Sequence, residues 1–234
     1  MTAVACGDDD SASEAAAPTS GPTAEAARDI LGLPEFADLE PGSYSIDPDG
    51  DPATPLRVIY TVAAEGWSQW IGAVKEAESG GHVAVSITTV SNLVKDGCLD
   101  QSPAEPPVGP TVDDLATSLS GLAPFVVSSP PSEVTMFGYE GRHLELTVPD
   151  LPVVGEGESR EFAECDLGEL HSWIATNLGG SFYGYNAEPG RTEELWILDV
   201  DGTRLMVATN SSPSSPPQDV EEMQAVFDSI RIEA

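Results

Sequence analysis

Positive charge is scarce in this chain. Nine lysine and arginine residues stand against 40 aspartate and glutamate residues in 234, a formal net charge of −31. The first 33 residues hold six acidic residues and one basic residue, so residues 34–234 still carry 34 against 8, or −26. No single acidic tail explains the imbalance. Binding to nucleic acid depends on lysine and arginine displacing counterions, so that class of partner is disfavoured. Adhesion of the body to an anionic membrane surface is disfavoured on the same ground. Solubility in an extracytoplasmic or salty setting accounts for the charge, and attraction of a cation or a basic partner is the sharper alternative.

Histidine and cysteine are few, three of each. His82, His143 and His171 are isolated in sequence, and no His-x-x-x-His or Cys-x-x-Cys spacing provides a metal pair. Gly-x-Ser-x-Gly is absent, and so is the Gly-x-Gly-x-x-Gly of a dinucleotide loop. Carboxylates are so abundant that a pair suited to glycoside hydrolysis carries no signal. The expectation is a protein without catalytic residues, metal or cofactor. No run reaches the roughly 18 apolar residues of a membrane span.

The chain opens Ala3-Val4-Ala5-Cys6, followed by residues 7–33, rich in Asp, Ser, Ala, Pro, Thr and Glu with almost nothing to pack. Small residues before a cysteine resemble the end of a bacterial lipoprotein signal, although the usual charged and apolar regions are not in the sequence. The expected organisation is a lipid on Cys6, a tether to residue 33 with at most a weak helix over 24–31, and one extracytoplasmic domain over 34–234. A chance match in an alanine-rich chain is the alternative.

The strongest structural signal lies near the end. Leu195-Trp-Ile-Leu-Asp-Val200 and Thr203-Arg-Leu-Met-Val-Ala-Thr209 flank Asp201-Gly202, the dipeptide favoured by a type I′ hairpin turn. A two-residue loop sets Asp199 opposite Arg204, a pair of order 0.2–1 kcal/mol. Both hairpin faces are mostly apolar, so both need cover. A helix over 216–230 offers Val220, Met223, Val226, Phe227 and Ile230 on one stripe, with a capping box expected at Ser215-Pro-Pro-Gln218.

Upstream, the pattern predicts strands over 41–46, 56–62 and 82–94, the last alternating Val83, Val85 and Ile87 with Ala84, Ser86 and Thr88. Asp47, Asp49 and Asp51 mark a turn; a calcium loop is disfavoured because Pro52 and Val58 stand where glycine and glutamate belong. Thr111 reads as an N-cap with Asp113 and Asp114 in the first turn, opening a helix that stops near Gly121. Residues 132–137 and 142–148 read as a second hairpin around Gly138-Tyr-Glu-Gly141. A short strand follows at 171–174, then a glycine- and tyrosine-containing loop over 177–191, and a final edge strand over 230–232.

Gly42-Ser-Tyr44, Gly66-Trp67, the run from Pro107 to Leu115, Gly138-Tyr-Glu-Gly141 and the run from Leu195 to Gly202 resemble a group of actinobacterial secreted lipoproteins, across nearly all of the body. Gly66-Trp67, the two hairpins and Phe227-Asp-Ser-Ile230 in a terminal helix are similar, more weakly, to the Mog1/PsbP-like fold, which includes LpqN-type lipoproteins. That resemblance implies an α+β domain, an antiparallel β-sheet with flanking helices, used for binding and assembly rather than one chemistry. The expected role is to bind a small apolar or aromatic ligand or an envelope protein. An accessory or sensor subunit of a membrane system is the alternative, and an envelope hydrolase the third. Trp67, Trp70, Trp173, Phe182, Tyr183 and Tyr185 are the candidate ligand-binding residues, though tryptophans also commonly cap a core.

With Cys6 assigned to the lipid, Cys98 and Cys165 remain. Both lie in polar segments beside aspartate, and an oxidising compartment predicts a bond between them.

The tether hypothesis rests on Ala3-Val4-Ala5-Cys6 and the unpackable run behind it. Expressed behind a complete secretion signal, the protein is expected to partition into detergent and Cys6→Ala into the aqueous phase. Equal partitioning of both forms would reject it.

Overall fold

The computed structural model describes residues 1, 26–77, 80–155, 160–185 and 188–234, without the side chains of Phe182 and Tyr185. Cys6 lies outside the described residues.

The late hairpin forms as its pattern demands. Strands β15 (Thr192–Val200) and β16 (Thr203–Ser211) pair without a break from Val200↔Thr203 to Thr192↔Ser211. Asp201 and Gly202 both take positive φ, 51° and 86°, as a type I′ turn requires. Asp199 and Arg204 sit opposite one another, but among the described residues no ion pair joins them. Asp199 instead accepts from the Gly202 amide, and the Arg204 guanidinium donates to the Gly109 and Val90 carbonyls. Asp199 is exposed in the turn, whereas the two carbonyls lie where the half-buried guanidinium can reach them.

Nine further strands complete an eleven-stranded antiparallel sheet. Strand β7 (His82–Asp96) joins β16, then come β6 (Gly72–Glu76), β5 (Trp67–Trp70) and the two-residue β2 (Asp38–Leu39). On the other flank lie β10 (Tyr139–Thr147) and the edge strand β9 (Val126–Met136). Beyond Thr89 the long β7 parts from β16 and pairs with β13 (Leu170–Ala175) and β8 (Asp100–Pro103); β14 (Ser181–Tyr185) pairs with β13 alone. A two-stranded ladder joins β11 (Val153–Val154) to β12 (Glu161–Phe162).

Both faces of the hairpin are covered. One receives a four-stranded sheet, β1 (Arg28–Asp29), β3 (Gly42–Ile46), β4 (Arg57–Val62) and the edge strand β17 (Arg231–Glu233), with helix α2 (Pro217–Asp228). Tyr44, Val58, Tyr60, Met223, Val226 and Phe227 there bury Val83, Val85, Ile87, Leu198, Leu205 and Val207. The opposite face receives helix α1 (Val112–Ser120) and β13, whose Leu115, Leu119 and Trp173 cover Leu144, Leu146, Leu195, Ile197 and Met206. The architecture is α+β with the sheet dominant.

Several local expectations hold. Thr111 and Asp114 exchange backbone and side-chain hydrogen bonds in a reciprocal cap of α1. Asp47, Asp49 and Asp51 each accept from a backbone amide two or three residues on, as turn aspartates do.

Others need correction. The turn between β9 and β10 is the two-residue Phe137-Gly138, with φ of 53° and 92°, not the four residues from Gly138. Strand β9 starts six residues before the predicted 132 and runs through Pro130-Pro131, which only an edge strand tolerates. The predicted loop over 177–191 contains β14. Arg28–Asp29 is a strand rather than helix, and Ile30 is fully buried, so the segment assigned to the tether through residue 33 supplies the core. Ser215 does not cap α2, whose N-cap Pro216 makes no side-chain bond. Its hydroxyl donates to the His82 carbonyl at 2.6 Å instead.

Cys98 and Cys165 are bonded, Cα to Cα 4.4 Å, across 67 residues. The bond ties the end of β7 to the segment entering β13. The Asp166 amide donates to the Cys98 carbonyl at 2.7 Å and the His171 amide to the Gly97 carbonyl at 2.9 Å. Closing a loop of this length is worth about 4 kcal/mol in the chain-entropy picture. Reduction, or Cys98→Ser with Cys165→Ser, is therefore expected to lower the unfolding free energy by that order in denaturant titrations. Unchanged stability would show that the hydrogen bonds alone hold this segment.

Candidate functional site

Strand parity decides which tryptophan reaches the surface. Trp67 and Trp70 are three residues apart on β5, so they project to opposite faces. Trp67 is 1% exposed in the core beneath the four-stranded sheet. Trp70 is half-buried on the other face and stacks on Phe36, ring centroids 5.2 Å apart and 9° from parallel. Phe36 is 59% exposed and adopts φ of 58°, a costly conformation for an aromatic residue. Its amide donates to the Gln69 carbonyl at 3.2 Å and to Gln69 Oε1 at 3.1 Å, which holds the ring over Trp70.

The same parity places His82, Ala84 and Ser86 on the face of β7 opposite Val83, Val85 and Ile87. Small side chains there leave room, and β13–β14 overhangs it. Tyr183 on β14 lies against Trp173, centroids 4.3 Å apart and 17° from parallel. Trp173 is fully buried and backs the site without opening to it. The side chains of Phe182 and Tyr185 lie outside the described residues.

A cavity of about 430 Å³ results, with Phe36, Trp70, Val74, Glu76, His82, Ala84, Glu169, His171, Tyr183, Gly184 and Arg191 around it. Its floor is a buried polar network. His82 Nδ1 lies 2.9 Å from Glu188 Oε2 and 3.2 Å from Ser212 Oγ, and Nε2 lies 3.0 Å from Asn210 Oδ1. Asn210 Nδ2 donates to the Tyr183 hydroxyl at 3.2 Å, which also receives Arg191 Nη2 at 3.4 Å. Burial pushes the Glu188 carboxyl up, but the hydrogen bond and charge of His82, with Arg191 and Ser212, outweigh it and hold the pKa below the usual value. Burial, reinforced by the Glu193 charge, pushes the Tyr183 phenol up to about 12 against the opposing pull of Arg191.

This network ties β7 to the segment after β16. Ser212 Oγ accepts from the His82 amide at 2.8 Å and donates to the His82 carbonyl at 3.2 Å, which clamps the strand end. Glu188 and Ser212 meet the same imidazole nitrogen, so they do not flank the ring as the orienter and nucleophile of a triad do. Tyr183 stays protonated at neutral pH and serves as a hydrogen-bonding wall.

His82 and His171 thus share one cavity, whereas His143 lies elsewhere, on Glu194 at 3.2 Å and against Trp196. Glu140 precedes His143 by three residues, but on β10 that odd spacing sends the two to opposite faces. Among the described residues no group of three or more His, Cys, Asp or Glu is placed to hold a metal, and no helix is long and apolar enough to cross a membrane. A hollow of about 380 Å³ is lined by Arg142 with its ion-pair partners Asp113 and Glu133. Another between α1 and the Pro106-Pro107 loop has no aromatic lining.

Of the candidate residues named from the sequence, Trp70 and Tyr183 lie at this cavity and Trp67 and Trp173 in the core; Phe36, Glu188, Arg191 and Asn210 were not among them. Only the strand alternation at Ala84 and Ser86 hinted at space on that face. Compared with known protein families, curated proteins and solved structures, the chain matches none.

A raised phenol pKa favours the folded state while the phenol is neutral. The Tyr183 contribution is therefore complete below about pH 10 and lost as pH rises toward about 12, on the order of 3 kcal/mol. Chemical denaturation across pH 9–12 is expected to show wild-type stability falling, and Tyr183→Phe to fall less, keeping only the share of other buried phenols such as Tyr60. Equal slopes would place the phenol in contact with solvent.

Proposed function

We propose that this chain is the body of a non-catalytic, extracytoplasmic lipoprotein that binds a small molecule with an apolar or aromatic face. The observation that carries this reading is the cavity itself: a stacked Trp70–Phe36 pair at the mouth, Tyr183 on the wall and a buried polar floor. Sites of this size commonly combine an apolar lining with a few fixed polar groups. The Cys98–Cys165 bond supports an oxidising compartment. Lipidation at Cys6, kinship with actinobacterial secreted lipoproteins and a Mog1/PsbP-like arrangement, with one helix on each face of the sheet, belong to the same proposal.

An envelope protein as partner is the second reading. It rests on Leu99 and Leu167, 64% and 82% exposed on either side of the disulfide. Two leucines make a small patch, and the aromatic-lined cleft favours the small ligand.

A screen of small aromatic and aliphatic compounds by thermal shift and tryptophan fluorescence tests the proposal. A ligand at a hundredfold excess over its Kd is expected to stabilise the fold by about 2.7 kcal/mol. Trp70→Ala and Phe36→Ala are expected to weaken it while leaving Trp67→Phe binding unchanged. A ligand insensitive to Trp70 and Phe36, or a screen in which nothing stabilises the protein, would defeat the proposal.

A further inference from the structure

From the charges around the Trp70–Phe36 cavity we infer that its ligand is an organic cation, an alkylated or aromatic ammonium; this rests on the cavity being a ligand site. The titratable lining is Glu76 and Glu169 at the exposed rim, with His82, His171, Tyr183 and Arg191 deeper. Directly behind lie Glu188, on His82, and Glu193, buried and close enough to raise the Tyr183 phenol. Two carboxylates thus line the space and two more lie behind its wall, against one permanent cation. Among the described residues that line it there is no lysine.

Arg191 is not available to an incoming anion. It is 5% exposed, its Nη2 is engaged by the Tyr183 hydroxyl, and its charge acts on Glu188. A ligand at the mouth meets aromatic rings first, and ring faces attract cations and repel anions. Trp70 is the residue best suited to that contact, because indole binds cations most strongly and Phe36 covers only one of its faces. Glu169 Oε2 is 3.0 Å from His171 Nε2, which fixes one oxygen at the rim and leaves the other for the ligand. The body charge of −26 adds a long-range field of the same sign, so cations concentrate at this cleft and anions are turned away.

Three probes sharing one ring separate the contributions: benzyltrimethylammonium, benzyl alcohol and phenylacetate, titrated into the full chain by calorimetry and tryptophan fluorescence. The ammonium is expected to bind at least tenfold more tightly than the alcohol, and the carboxylate not at all. Trp70→Ala and the double variant Glu76→Gln, Glu169→Gln are each expected to weaken the ammonium about tenfold. The carboxylate variant should also flatten its salt dependence. Comparable binding of ammonium and alcohol, lost in Trp70→Ala, would overturn the cation assignment while leaving the cavity as a ligand site. Tighter binding of phenylacetate would overturn it in favour of an Arg191-directed anion. Binding of none of the three overturns the cation assignment, and the wider screen then decides whether the cavity binds anything.

Discussion

A hairpin that is apolar on both faces imposes most of this architecture. Leu195 and Ile197 point one way and Trp196 and Leu198 the other, and all four are buried. Each such side chain loses about 1.5–3 kcal/mol if left in water, so neither face can remain open. A sheet closed into a barrel would hide only one side. The chain instead supplies two separate covers, an N-terminal sheet completed by α2 and β17, and α1 with β13. That division explains why the first strands and the last helix meet: Thr61 of β4 donates its amide to the Ser229 side chain just after α2, across 168 residues.

The covers differ in completeness, and the difference creates the site. Under the four-stranded sheet, large side chains fill the space. On the opposite face, β7 carries His82, Ala84 and Ser86 where it lies beside β6, and α1 sits too far along the sheet to reach them. Only β13–β14 overhangs that end. It is held by its pairing to the far half of β7, by the disulfide and by Gln101, whose amide donates to the Asp166 and Glu169 carbonyls. A wall attached at one end, over a strand face where Ala84 and Ser86 fill little space, leaves a cleft.

The sequence discloses elements better than it discloses which side of an element meets which neighbour. Asp201-Gly202, Thr111 with Asp114, and the alternation of β7 were readable because each is a local rule satisfied by adjacent residues. The disulfide was readable because two of three cysteines had no other role. Trp67 and Trp70 looked equivalent, although their odd spacing on a strand already separates them; what the sequence withheld was which face would be roofed. Ser215 fitted a capping box locally, but its hydroxyl donates to the His82 carbonyl instead. Phe36, Glu188, Arg191 and Asn210 were invisible because their significance comes only from converging across more than 150 residues. Ile30 was lost in a segment whose composition lacks almost everything a core needs.

The fate of the nine basic residues links charge to site. Arg28, Arg57, Lys75, Lys95 and Arg142 each sit within ion-pair distance of carboxylates. Lys75 bridges β6 to α2 through Asp219 and Glu222 at 2.9 and 2.7 Å; burial alone would lower its pKa, and the two carboxylates raise it instead. Arg204 is consumed by backbone carbonyls and Arg191 by the floor of the cavity. Lys75, Arg191 and Arg204 thus spend their charge inside the fold, whereas Arg28 and Lys95 pair at the surface and Arg160 and Arg231 are exposed. The carboxylates outnumber the basic residues more than fourfold, and their mutual repulsion acts on the whole surface. Relief from that repulsion comes from mobile counterions, and the place where a bound cation would also find aromatic rings is the mouth formed by Trp70 and Phe36. If the cleft takes a cation, as we propose, the acidic surface and the aromatic cleft are not independent features of this chain, since the first favours the sign of charge that the second would hold.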